Sequence, residues 1–376
     1  MRMIPEQRPP EPDLPAGDAL TRLGLDGPTR SSRGVARDVP RPTVHRSRRR
    51  RRRGRRPAVV TLAAALVVFV GLPALVIGVG AGYLGHLART WDDGASTIRA
   101  AFPDEADRPA AVDDGALDVL LLGSDTRQAG ASGRSDSMML VHLPADRRDV
   151  YVMSIMRDTW VDVPGHGMAK INAAYSWGGV PLTVQTVEQL LQTRIDHVAE
   201  VDFTGFEGMT DALGGVDVVS ERTFRAGGHD FVAGPNHLDG EQALDFVRER
   251  KSFAEADHQR VRNQQAFVRG LVDGLLDRRT LTDPAAVSSF VAATADHVAV
   301  DPGLTPTRMA GIAWSARELR PSGLHAFTMA TAGGGTSADG QSYLAFDVDR
   351  LYALRQALHD DTVGDYLDQT RGVPVG

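Results

Sequence analysis

Three stretches decide the fold: LDVLLLGSD (117–125), GRSDSMMLVHL (133–143) and VYVMSIMRDT (150–159). Their apolar cores, Leu117 to Leu122, Met138 to Leu143 and Val150 to Met156, are short and rich in branched residues. Runs of that length and composition read as strands buried on both faces. Each also carries charge at one end. Asp125 closes the first, Arg134 and Asp136 precede the second, and Arg157 with Asp158 ends the third. Ligand sites of α/β sheets tend to lie at such strand ends.

Working outward, the period changes. Val187, Leu190, Leu191 and Ile195 share one helical face, as do Phe267, Val268, Leu271, Val272, Leu275 and Leu276. Near the C-terminus LHAFTMA (324–330) and SYLAFDV (342–348) read as two more strands, followed by a helix from about Asp349 to His359. Strands interleaved with amphipathic helices predict an α/β domain, a central mixed β-sheet flanked by helices. No internal repeat is present.

The chain has 376 residues, a net charge of −6 and no cysteine, which excludes disulfides, thiolate metal sites and a cysteine nucleophile. Charge is unevenly placed. Residues 1–57 hold 16 Arg and no Lys against 6 acids, a net of +10, so the remainder carries −16. Residues 1–56 are rich in Pro, Arg, Asp and Gly and predict a disordered, Arg-rich cytoplasmic tail. Nine Arg lie between Arg46 and Arg56, directly before an apolar run, 57–87, free of Asp, Glu, Lys and Arg. As helix that run would extend roughly 46 Å, beyond the roughly 30 Å of bilayer hydrocarbon. It predicts an uncleaved, single-pass type II anchor with the Arg block cytoplasmic and the rest extracytoplasmic. A cleaved signal peptide would have a shorter apolar region and a much shorter leader. Residues 88–114, polar and broken by Pro103 and Pro109, read as a stalk. Gly80, Gly82 and Gly85 spell GxGxxG inside the apolar run, without the strand and helix that a dinucleotide loop requires.

Farther along come Lys170 in AKINAAY, Arg248, Arg250 and Lys251 in FVRERK, and Asp257 and Arg260 in DHQRVRNQQ. Taken singly, such Asp/Arg pairs are ordinarily surface salt bridges. Gathered together, guanidinium forks suit phosphoryl oxygens and carboxylates suit Mg²⁺, so the set suits a pyrophosphate with its divalent cation. The histidines lack zinc spacing, and neither a GxSxG elbow nor a Walker loop is present.

In order, LLLGSDTR, GRSDSMMLVHL, SIMRDTWVDVPGHGMAKINAAYSWGG, VDFTGFEGMTDALGGVDV, HLDGEQALDFVRERK and DHQRVRNQQAF resemble the LytR-CpsA-Psr family over about residues 115–275. The resemblance implies a catalytic core at 115–280, completed by C-terminal helices and strands at 281–376. It also implies a membrane-anchored extracytoplasmic phosphotransferase. Such an enzyme moves a glycopolymer with its phosphate from a polyprenyl-pyrophosphate carrier to peptidoglycan, with Mg²⁺ (or Mn²⁺) as cofactor and an apolar pocket for the lipid.

By the same resemblance Asp125, Asp136 and Arg157 are catalytic, with Asp125 and Asp136 as metal ligands. Arg134, Lys170, Arg248, Arg250 and Arg260 bind pyrophosphate, and Asp257 is a second acid. Two departures stand out. Met156 replaces the proline of SIPRDT, and Asn263 replaces the second Arg of RxxRQQ, so either Arg262 substitutes or one phosphate contact is lost. Two rival readings keep the fold: a polyprenyl-pyrophosphate phosphatase, and a non-catalytic envelope regulator that grips lipid carriers. No nucleic-acid partner is expected.

Overall fold

The computed structural model describes residues 72–112, 114–124, 135–253, 256–276 and 283–370. The expected tail, the first part of the expected anchor, Asp125 and Arg134 lie outside the described residues.

In chain order the elements begin with helix α1 (Leu72–Gly94) and strands β1 (Ser96–Thr97), β2 (Leu117–Ser124), β3 (Ser135–Leu143) and β4 (Val150–Ser154). A hairpin, β5 (Trp160–Val163) and β6 (Gly167–Lys170), leads into α2 (Asn172–Leu191), β7 (His197–Asp202) and α3 (Phe203–Ala212). Four short strands follow, β8 (Val216–Ser220), β9 (Phe224–Ala226), β10 (His229–Phe231) and β11 (Gly234–Leu238). Then come α4 (Gly240–Arg248), α5 (Ala256–Leu276), α6 (Pro284–Ala295), β12 (Val298–Val300) and α7 (Pro306–Ser315). The chain closes with β13 (Leu324–Thr328), β14 (Thr331–Thr336), β15 (Ser342–Phe346), α8 (Val348–His359) and α9 (Val363–Thr370).

Seven strands form one mixed sheet in the order β1-β12-β7-β2-β3-β4-β13. β2 runs antiparallel to β3 and parallel to β7, while β4 is antiparallel to β3 and parallel to β13. The pleat sends alternate residues to opposite faces. Leu120, Leu122, Met138, Leu140, Met153 and Val198 face α2, α8 and α9 and form the main core with Val184, Val187, Leu191, Leu354 and Leu358. Each fully buried branched side chain there contributes roughly 1.5–3 kcal/mol. Leu121, Met139, Val152 and Val201 occupy the other face. Burial on both faces explains why these strands read as unbroken apolar runs. In α2 the helical path breaks at Gly179, whose φ of 64° favours glycine, just before Pro181.

The expected stalk is corrected in part. Helix α1 continues to Gly94, where Trp91 packs beside Val298, Val300, Met309 and Ile312. β1 then joins the sheet edge beside β12, and Ile98 and Ala101 enter the main core. Arg108, its side chain only 6% exposed, closes the arm by bonding the buried Glu188 of α2 through Nη2–Oε1 at 2.6 Å. Its guanidinium also lies 4.3 Å from the Phe102 ring centre. Pro103 and Pro109 therefore shape a packed arm.

Among the described residues no helix is long and apolar enough to cross a membrane. Gly80, Gly82 and Gly85 lie in α1, and a Cβ on any of them would meet nothing within 4 Å. They form no phosphate-binding turn.

Candidate active site

Three elements deliver the charged residues to one place. The β4 exit turns sharply after the buried Met156, whose carbonyl accepts from Thr159 N at 2.9 Å and from Thr159 Oγ1 at 2.6 Å. That turn presents Arg157 and Asp158. It is tied to the next elements where Ile171 N donates to Thr159 O at 2.8 Å and Asn172 N to Arg157 O at 3.2 Å. Met156 thus occupies the proline position as a buried hydrophobic residue at the start of a well-bonded turn.

The second element is α4, started by a capping box. Asp239 Oδ1 accepts from Gln242 N at 2.9 Å, and Gln242 Oε1 accepts from Asp239 N at 3.1 Å. An aromatic cluster beneath it, Phe224, Phe231 and Phe246, fixes its position with ring centres 4.8–5.6 Å apart. Arg248 ends this helix, and Arg250 and Lys251 follow it.

The third element is α5, which starts with Asp257 and Arg260 on its first turns. Gln265 anchors it to the sheet by donating Nε2 to Ser154 Oγ at 3.1 Å and to Thr328 Oγ1 at 3.0 Å. Asn263 resolves the departure from RxxRQQ. It is buried and donates Nδ2 to Phe246 O at 3.0 Å, so it joins α5 to the last turn of α4. Arg262 does not substitute, because its Nε pairs with Glu221 at 2.9 Å and it does not line the cavity described below.

Asp257 is the hub of the ion cluster. Its carboxylate lies 3.4 Å from Arg157 Nε, 3.6 Å from Arg250 Nη1 and 3.2 Å from Arg260 Nη2. Asp158 links the same cluster to β6, at 3.6 Å from Arg157 Nε and 3.2 Å from Lys170 Nζ. Lys170 therefore meets Asp158, and it lines neither of the two openings beside the cluster.

Beside the cluster lies a cavity of about 480 Å³. Leu121, Met139 and Val201 from the sheet, Phe206 and Met209 from α3, Leu244 and Val247 from α4, and Phe267, Val268 and Leu271 from α5 make its walls apolar. Arg248, Arg250, Lys251 and Arg260 also line it, as do Gly123 and Ser137 from the ends of β2 and β3. Among the described residues at the site, six basic side chains (Arg157, Lys170, Arg248, Arg250, Lys251, Arg260) stand against four acids (Asp158, Asp202, Glu249, Asp257). A surplus of positive charge at the wall of a greasy cavity suits a ligand with an anionic head and an apolar tail.

The carboxylates expected to hold metal divide differently. Asp125 lies outside the described residues; Asp136 is placed as backbone in β3. Ser124 of β2 and Ser135 of β3 are register partners. As carboxylates, Asp125 and Asp136 are hard oxygen donors of the kind Mg²⁺ takes. Asp158 and Asp257 are each already held by cations. Among the described residues no group of three or more His, Asp or Glu could hold a metal ion.

Sequence reasoning missed Asp158 as a link and the identity of the cavity walls. The signal for the walls was present, since Leu121, Met139 and Val201 are apolar at positions where a half-solvated sheet would be polar.

The chain is similar to proteins whose names carry a chemistry. It is 41% identical over 157 residues to a polyisoprenyl-teichoic acid–peptidoglycan teichoic acid transferase, TagU, of Bacillus cereus (strain AH820), covering 42% of this chain and 52% of that one. The chain thus spans about half the length of that relative. A TagU of Enterococcus faecalis (strain ATCC 700802 / V583) is 30% identical over 229 residues, covering 60% of this chain and 74% of its own. A solved structure of TagT bound to LIIa-WTA superposes with a TM-score of 0.54 at 26% identity, covering 72% of this chain and 99% of TagT. The family model matches residues 93–360 and takes in the arm, the sheet and every described residue of the ion cluster; the chain belongs to the LytR_cpsA_psr (LytR-CpsA-Psr) family.

Proposed function

We propose that this protein transfers a glycopolymer, with its phosphate, from a polyprenyl-pyrophosphate carrier to peptidoglycan. The observation that carries the proposal is the apolar cavity walled by Arg248, Arg250 and Arg260 beside the Asp257–Arg157 cluster. The prenyl chain would occupy the cavity and its pyrophosphate would meet the guanidinium groups. The activity for which the TagU relatives are named and the ligand of TagT support this reading.

In the proposed step, an acceptor sugar hydroxyl attacks the distal phosphorus. The new P–O bond forms as the bridging P–O bond breaks, and polyprenyl phosphate leaves. Arg157, Arg248, Arg250 and Arg260 stabilise the charge that develops on the bridge and the equatorial oxygens. Asp257 and Asp158 hold Arg157, Arg250 and Arg260 in place. The hydroxyl proton passes to Asp125 or Asp136. We assign Mg²⁺ (or Mn²⁺) to these same two carboxylates; when bound it would supply positive charge to the phosphoryl oxygens. The Arg block and apolar run before residue 88 support a type II anchor, which would place the cavity beside the membrane holding its donor.

The test uses the full-length protein in detergent, a carrier-linked oligosaccharide and peptidoglycan fragments. A phosphodiester conjugate, lost in Arg157→Ala, is the expected result. Release of free phosphorylated glycan alone would make the protein a phosphatase, and binding without turnover a regulator.

A further inference from the structure

A second opening, a groove of about 380 Å³, meets the same ion cluster. Asp158, Asp257 and His258 line it together with the glycine-rich hairpin β14–β15. It shares no lining residue with the apolar cavity. Yet Asp257, in the groove wall, holds Arg250 and Arg260, which are in the cavity wall. The cluster therefore borders two separate openings.

The hairpin is built onto the turn that carries Arg157 and Asp158. Leu344 N donates to Asp158 O at 2.9 Å, and Thr159 forms a β-bridge with Leu344. Tyr343 stacks on Trp160 of β5, ring centres 4.6 Å apart and planes 25° apart. The Tyr343 ring lies over bare backbone, since a Cβ on Gly335 would come within 2.5 Å of Tyr343 Cζ. Thr336 and Ser342, both exposed, add hydroxyl groups.

This wall has a definite chemical preference. Its lining has two carboxylates, already paired with Arg157, Lys170, Arg250 and Arg260, and no Lys or Arg, so it offers a phosphate no cationic donor of its own. Carboxylates and exposed hydroxyls beside Tyr343 suit a sugar ring, which offers many O–H donors. We propose that this groove is the acceptor subsite, holding a sugar of the glycan strand with one hydroxyl turned towards the ion cluster. This assignment rests on the transferase reading above and adds to it the place of the second substrate.

The experiment measures binding of a peptidoglycan tetrasaccharide to the full-length protein in detergent, without donor, by calorimetry. It compares wild type with Tyr343→Ala and with Gly334→Leu. Gly334 is an exposed position where a Cβ would make only a 3.5 Å contact, so a leucine there obstructs the groove without disturbing the hairpin. Both variants should weaken tetrasaccharide binding about tenfold, while binding of polyprenyl pyrophosphate stays within about twofold. Unchanged tetrasaccharide affinity in both variants, or an equal loss for the lipid, overturns the assignment. Tetrasaccharide binding that depends on Tyr343, in a protein that forms no conjugate from carrier-linked donor, upholds the groove and sinks the transferase reading. Conjugate formation with an acceptor affinity indifferent to both variants does the reverse.

Discussion

Replacing Asp257 with Asn should separate catalysis from donor binding. The change keeps the shape of the side chain and removes one negative charge from the centre of three guanidinium groups. Arg260 loses a charge-assisted hydrogen bond at 3.2 Å, and Arg157 and Arg250 lose ion pairs at 3.4 and 3.6 Å. Bonds to charged groups contribute about 1.5–3 kcal/mol each, so the two groups nearest the carboxylate, on Arg157 and Arg260, would no longer be held where charge develops. Loss of one well-aimed donor typically costs about 2.7–4 kcal/mol of transition-state stabilisation, or a fall in kcat of about 10²–10³. The anionic donor responds in the opposite direction. With one acid fewer the site becomes more positive, so donor affinity should hold or tighten. Steady-state turnover of carrier-linked donor, paired with direct binding of polyprenyl pyrophosphate, reads both quantities. Unchanged kcat together with weakened donor binding would refute the view that Asp257 organises the cluster.

Three further expectations follow from other parts of the molecule. Arg108→Ala leaves the buried Glu188 without its guanidinium partner and should destabilise the fold by about 3–5 kcal/mol in denaturant titration, with Arg108→Met/Glu188→Leu regaining most of it; a loss below about 1 kcal/mol, typical of a surface pair, would contradict the burial argument. Buried His142 bridges Asp118 at 2.9 Å and Asp361 at 3.0 Å. Desolvation lowers its pKa, but the two carboxylates outweigh it and the net shift is upward from 6.5. The protonated bridge therefore stabilises fully below that value and fades as pH rises through the higher folded pKa, so the thermal midpoint should decline on that side and His142→Gln should flatten the profile. Asn263→Ala leaves the Phe246 carbonyl without its buried donor and should cost about 1–3 kcal/mol in stability, lowering kcat through the displaced end of α4; an unaltered denaturation midpoint would count against this role.

What could be read from the text and what could not differ for physical reasons. β2, β3 and β4 were legible because burial on both faces demands uninterrupted apolar residues, while β13 and β15 were legible as short runs of aromatic and branched residues and α8 as the helix after them. The arm from Ser96 to Arg108 was not. Its strand is two exposed residues long and is defined by its partner β12, far along the chain, while its buried ion pair looks in sequence like any surface charge. The four strands β8 to β11 were hidden for a similar reason, since each is only three to five residues long and the aromatic cluster packed against them is assembled from separate segments. At the site, resemblance found Arg157, Arg248, Arg250, Asp257 and Arg260, and the fold brings all five to one cluster and its adjoining cavity. It could not reveal what Asp257 and His258 meet in space, which is the β14–β15 hairpin from a distant part of the chain. Nor could it show that Asp158, adjacent to Arg157 in the chain, also reaches Lys170 and borders the groove. A sequence states which charges exist; only packing decides which of them share a wall. On the proposed reading that distinction is functional, because the acids that hold Arg157, Arg250 and Arg260 also line the groove assigned to the acceptor sugar.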